Sequence, residues 1–135
     1  MPRPSACAGR PVIRPLLVVL LVVAAGLAHA EVDVATGEAL FKRNCGNCHN
    51  VGRGARAAFG PQLNGIVGRT AGSTADYRYS PAMKGAALQW NAQTLGAFIK
   101  DPDAVVPGNK MRFWGIGDQD KIDSLLLYLQ AQPAQ

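Results

Sequence analysis

Cysteine and histidine are scarce in this chain: 135 residues contain three of the first and two of the second. Cys7 and His29 stand within the first thirty positions, so the remainder has only Cys45, Cys48 and His49. That excludes a disulfide framework and leaves a structural zinc site short of ligands, because tetrahedral zinc takes four. Acidic side chains are few as well, nine against fourteen basic ones, a formal charge of +5. Three of the basic residues are Arg3, Arg10 and Arg14, in a segment without Asp or Glu; beyond it the balance is eleven to nine, a net charge of +2. No strong basic field remains, and nucleic acid is not an expected partner. The longest apolar run, from Leu16 to Ala28, falls short of the roughly 20 residues that a membrane span prefers.

That run reads instead as the core of an export signal. Arg3, Arg10 and Arg14 form its basic start, and Ala28-His29-Ala30 supplies small residues where a signal peptidase cuts. Cleavage after Ala30 is expected, which removes Cys7 and leaves residues 31–135 as one domain. The other reading is a retained anchor, and only then is membrane contact expected. Export implies the periplasm, or an intermembrane-space-like compartment if the source is not bacterial. A domain of about a hundred residues is marginal at burying a core of its own, and a large apolar cofactor would help to fill it.

Cys45-Gly46-Asn47-Cys48-His49 points to such a cofactor. Two thiols three positions apart can add to the two vinyl groups on one edge of a haem, and the imidazole that follows falls beneath the iron. A thioredoxin-like redox pair is the competing reading, but it belongs between a strand and a helix of a βαβ unit, a pattern this chain lacks. The expected cofactor is one covalent haem c with its iron, His49 being one metal ligand.

Around the motif the sequence predicts short helices and long loops. Asp33 is a good N-cap for a helix carrying Val34, Leu40 and Phe41 to the motif, and Gly37 within it signals close approach by another element. The Gly- and Arg-rich stretch from Val51 to Gly60-Pro61 is a loop, and the Pro61 carbonyl can accept the second ring N–H of His49. Arg69 is either a solvated charge or a partner for a haem propionate. Residues 76–82 read as irregular. Asn91 caps a helix with Leu95, Phe98 and Ile99, and Trp90 before it is expected to be half-buried. Asp101-Pro102 opens another helix, cut short by Pro107-Gly108. Met111, just beyond that turn, offers a neutral thioether as second axial ligand, whereas Met83 reads as packing. Asp118 caps a last helix, with Ile122, Leu125, Leu126 and Leu129 on one face, expected to cross the first helix at Gly37 and Tyr128.

Together these residues resemble the class I cytochromes c, particularly the mitochondrial-like group also found in bacterial periplasms. The resemblance spans most of Asp33 to Gln132. It rests on Cys45, Cys48 and His49, on Gly60-Pro61, on Gly-Ile-Val-Gly-Arg at 65–69, on Trp90, and on Pro107-Gly108-Asn109-Lys110-Met111. It implies a small all-α fold with crossing terminal helices and loops wrapped around one haem. It further implies axial His49 and Met111, a Pro61 carbonyl bonded to His49, Tyr79 and Trp90 donating to a propionate with Arg69 nearby, and Phe113 near the exposed haem edge. Two departures stand out: Phe98 replaces a common tyrosine, and Asn109 replaces the usual threonine, so hydrogen bonding around Met111 should differ.

The function expected is single-electron transfer between redox proteins, by a monomer without catalytic residues of its own. A membrane reductase or quinol-oxidising complex would be the donor, and a terminal oxidase or dehydrogenase the other partner. Lys42, Arg43, Lys110 and Arg112 flank the ligand segments and suit an acidic docking patch. The alternative is a haem enzyme or small-ligand sensor in which Met111 leaves the iron; no distal acid or base is recognisable to serve it.

Overall fold

In the computed structural model, which describes residues 31–134, Asp33 opens the first helix as its sequence suggests. Its carboxylate accepts from the Thr36 amide at 2.9 Å and the Thr36 hydroxyl at 2.6 Å, the first satisfying one of the N–H groups that a helix start leaves unpaired. The helices are α1 (Val34–Asn44), α2 (Pro81–Gly85), α3 (Ala92–Lys100), α4 (Pro102–Val105) and α5 (Gln119–Gln130). Among the described residues there is no named strand, only an isolated antiparallel bridge between Thr70 and Gln89.

Helix α5 buries the stripe that its periodicity predicts: Ile122, Leu125, Leu126 and Leu129 are all buried. It lies on α1 and α3. The crossing with α1 is close because Gly37 has no side chain; a Cβ there would stand 2.0 Å from the Ser124 carbonyl oxygen and 2.8 Å from Tyr128 Cβ. Phe41 and Tyr128 then meet at 5.4 Å between ring centroids, within the range of favourable aromatic pairs. Ser124, buried on α5, donates to the Asp120 carbonyl at 2.9 Å and accepts from the Asp33 amide at 3.4 Å, tying the two helix starts together.

Three local expectations change. Val34 is exposed, since the core-facing side of α1 is carried by Gly37, Leu40 and Phe41. Trp90 is buried rather than half-buried, its ring packed 5.0 Å from that of Phe98. The stretch read as irregular ends in α2, which Ser80 caps by accepting from the Met83 amide at 3.1 Å, with Pro81 in the first turn.

The capping carboxyls give the fold an acid-sensitive edge. Hydrogen bonds from Thr36 hold Asp33, and those from Lys121 hold Asp118, below the ordinary value of 3.8. Each contribution is complete above that value and is lost as pH falls through the lower folded-state one. Thermal melts from about pH 6 to pH 2 should therefore show a shallower acid decline for Asp33→Asn/Asp118→Asn than for the parent.

Candidate functional site

The end of α1 shapes the cysteine segment. Cys45 and Gly46 both donate to the Phe41 carbonyl at 2.8 Å, and Cys48 and His49 both donate to the Cys45 carbonyl at 2.9 Å. This tight turn brings both thiols and the imidazole to the wall of one cavity of about 420 Å³. Burial pushes the Cys45 thiol up to about 11, with Cys48 adding to the shift. A thiol held protonated at neutral pH is the opposite of an activated thioredoxin-type nucleophile.

His49 is fixed by the next loop. Its Nδ1 lies 2.8 Å from the Pro61 carbonyl, which can only accept, so Nδ1 carries the proton and Nε2 keeps its lone pair. Burial lowers the imidazole below its ordinary range, the Pro61 carbonyl opposes that, and Arg69 adds to it. The loop closes on the ring because Gly60 donates to the Cys48 carbonyl at 2.8 Å, and a Cβ at Gly60 would stand 2.4 Å from His49 Cε1. Gly60→Ala is thus expected to tip the imidazole and weaken its bond to Pro61. The change in the histidine ring-proton NMR shifts of the reduced holo-protein checks this.

All nine residues that the sequence singles out, Cys45, Cys48, His49, Pro61, Arg69, Tyr79, Trp90, Met111 and Phe113, line this same cavity. Arg69 is half-buried and donates to the Gln62 carbonyl at 2.8 Å and the Asn64 carbonyl at 3.3 Å, so it is not a freely solvated charge. Met111 comes from the far side of the chain, and its position is set by Asn109, whose Oδ1 accepts from the Met111 amide at 2.7 Å. The Asn109 amide nitrogen donates to Asp103 at 2.8 Å and to the Val106 carbonyl at 3.0 Å. The residue that departs from the family pattern therefore staples α4 to the methionine segment.

The rest of the wall is mostly apolar: Leu63, Ile66, Leu95, Phe98, Ile99, Leu125 and Leu129. Ser80 and Met83 line the cavity too, Met83 as the buried packing residue that the sequence suggests; Ser80 is the residue that the sequence does not single out. A second, more open cleft of about 470 Å³ over Arg56, Gln62 and Asp76 contains none of the nine. The donor set of the first cavity fits a haem: two thiols on one wall, an imidazole with its outer nitrogen fixed as donor, a thioether, and an apolar lining for a flat ring.

The comparisons with known proteins agree with that fit. The cytochrome c family model matches residues 34–132. The chain belongs to the cytochrome c family. It is 49% identical over 112 residues to cytochrome c2 of Agrobacterium tumefaciens (strain II Chrys), covering 78% of this chain and all of that protein. It is 40% identical over 119 residues to cytochrome c2 of Blastochloris viridis, with coverage of 87% and 93%. Among solved structures, cytochrome cH from Methylobacterium extorquens superposes with a TM-score of 0.67 at 42% identity, covering 72% of this chain and 96% of that one. As a class I monohaem cytochrome c, this chain has the helical fold expected of it, and its cofactor is one haem c with iron, bound through Cys45 and Cys48. This cytochrome is an electron-transfer protein and not an enzyme.

Proposed function

We propose that this cytochrome carries single electrons in the periplasm with its iron held between His49 Nε2 and Met111 Sδ. The observation that supports this ligation is that both side chains line one cavity, the His49 ring held by the Pro61 carbonyl and the Met111 backbone held by Asn109. Haem c, when bound, supplies an iron that passes between ferrous and ferric states by one electron, and a sulfur ligand opposite histidine raises its potential.

The protein's part is positioning and exclusion. Pro61 holds the imidazole in one tautomer, and Asn109 holds the methionine backbone. His49 and Met111 would both hold the iron when haem is bound, which would keep substrates from the metal. Phe98, Ile99, Leu125 and Leu129 keep water from the interior. Tyr79, Trp90 and Arg69 serve the propionates, and Phe113 stands at the edge where electrons enter and leave. We read residues 1–30, which lie outside the described residues, as a signal cleaved after Ala30, and the mature protein as a monomer. Its partners are a membrane reductase or quinol-oxidising complex and a terminal oxidase or dehydrogenase, met through Lys42, Arg43, Lys110 and Arg112. The optical spectrum of the purified holo-protein in both oxidation states tests the ligation. A far-red sulfur-to-iron band in the oxidised form is expected, and haem without that band overturns it.

A further inference from the structure

Residues 111–115 form no regular element, and their exposure alternates from one to the next. Met111 and Phe113 are half-buried and Arg112 and Trp114 are exposed; Arg112 still borders the cavity that Met111 and Phe113 line, and of these four Trp114 alone stands clear of it. Trp114 is fully exposed, more so than any other large apolar side chain among the described residues. Its backbone is nevertheless held at both ends. Asn109 fixes Met111, and after Trp114 the chain turns at Gly115, where φ is +86° and a Cβ would stand 2.0 Å from the Lys100 carbonyl oxygen. Ile116 then donates to the Ile99 carbonyl at 3.1 Å. A large aromatic presented on a pinned backbone loses little freedom when a partner covers it.

We propose that Trp114 and Arg112 together form the anchor by which a redox partner protein docks, Trp114 entering an apolar pocket with acidic residues at its rim. Trp and Arg are the side chains that most often dominate protein–protein binding energy. Lys110 supports the charge pattern, its Nζ donating to the Arg78 carbonyl at 2.9 Å and so bringing a further arginine's segment alongside. Phe113 lies between the two anchor residues in sequence and on the cavity wall, so a partner seated here is brought to the cavity's edge. This feature favours a protein that exchanges electrons over a lipid surface. The proposal rests on the carrier reading given above.

The test is oxidation of the reduced holo-protein by respiratory membranes of its source organism, followed as oxygen uptake. Trp114→Ala should raise KM about tenfold, equivalent to ~1.4 kcal/mol of binding, with kcat, the visible spectrum and the midpoint potential unchanged. Trp114→Phe should recover most of the loss. Arg112→Ala should raise KM at low ionic strength, and its curve should converge with that of the parent as salt screens the charges. A KM for Trp114→Ala within twofold of the parent overturns the anchor. So does a variant whose only loss is binding to anionic vesicles or concentration-dependent self-association, which would assign the surface to lipid or to a second copy. A missing far-red band in the parent sinks the His49/Met111 ligation but leaves the KM result standing, so the two failures are told apart.

Discussion

The Met111→Ala holo-protein should lose the far-red band of the oxidised form completely and show a midpoint potential lower by an amount on the order of 0.1 V or more. Axial ligands set haem potentials over roughly 0.8 V, and removal of a neutral sulfur that favours ferrous iron is among the larger changes available. Met83 supplies the control, because its side chain lines the same cavity. Met83→Leu, similar in volume and apolar, should keep the band. If Met83→Leu abolishes the band and Met111→Ala spares it, the ligand has been misassigned. Redox titration and absorption spectra of the two variants decide between them.

Gly37→Ala should be among the most destabilising single methyl groups that can be added to the fold. The new Cβ would stand 2.0 Å from the Ser124 carbonyl oxygen and 2.7 Å from its carbon, both backbone atoms that no rotamer change can move. Helices α1 and α5 must therefore separate, which loosens Phe41 against Tyr128. Overpacking typically costs about 1–3 kcal/mol, and a backbone clash this deep lies at the upper end or beyond. For a domain of this size about 3 kcal/mol lowers Tm by roughly 12–24 °C. Gly117→Ala is the matched control: a Cβ there meets nothing within 4 Å. Its Tm should hold or rise slightly, through the smaller freedom of the unfolded chain. Equal melting temperatures for the two variants would mean that α1 and α5 are not in the contact described.

Local chemistry explains why so much was readable in advance. The helix caps at Asp33, Asn91, Asp101 and Asp118 each act over three residues, and each is found accepting from the amide three positions on. The stripe of α5 is likewise local in its periodicity. Where the structure adds to that reading, the deciding contact joins two different segments. Trp90 became buried because α3 folds Phe98 against it. Arg69, open in the sequence between a solvated charge and a propionate partner, is drawn in because carbonyls of Gln62 and Asn64 are presented to it across a loop. The α2 helix was overlooked because one capping serine among glycines and tyrosines is a weak signal until Met83 is seen in the core.

By itself the sequence determined the cofactor chemistry, through two cysteines and a histidine whose spacing is covalent and therefore indifferent to folding, and it determined the helix boundaries at the capped ends. Tertiary structure alone decided that Pro61 meets His49 at 2.8 Å, that Met111 reaches the same cavity by way of Asn109, and that Trp114 is left fully in solvent on a fixed backbone. The physical reason is the range of the forces involved. Bond formation and capping act between near neighbours along the chain, whereas burial and ligand approach depend on which distant segments α1 and α5 allow to close around one space.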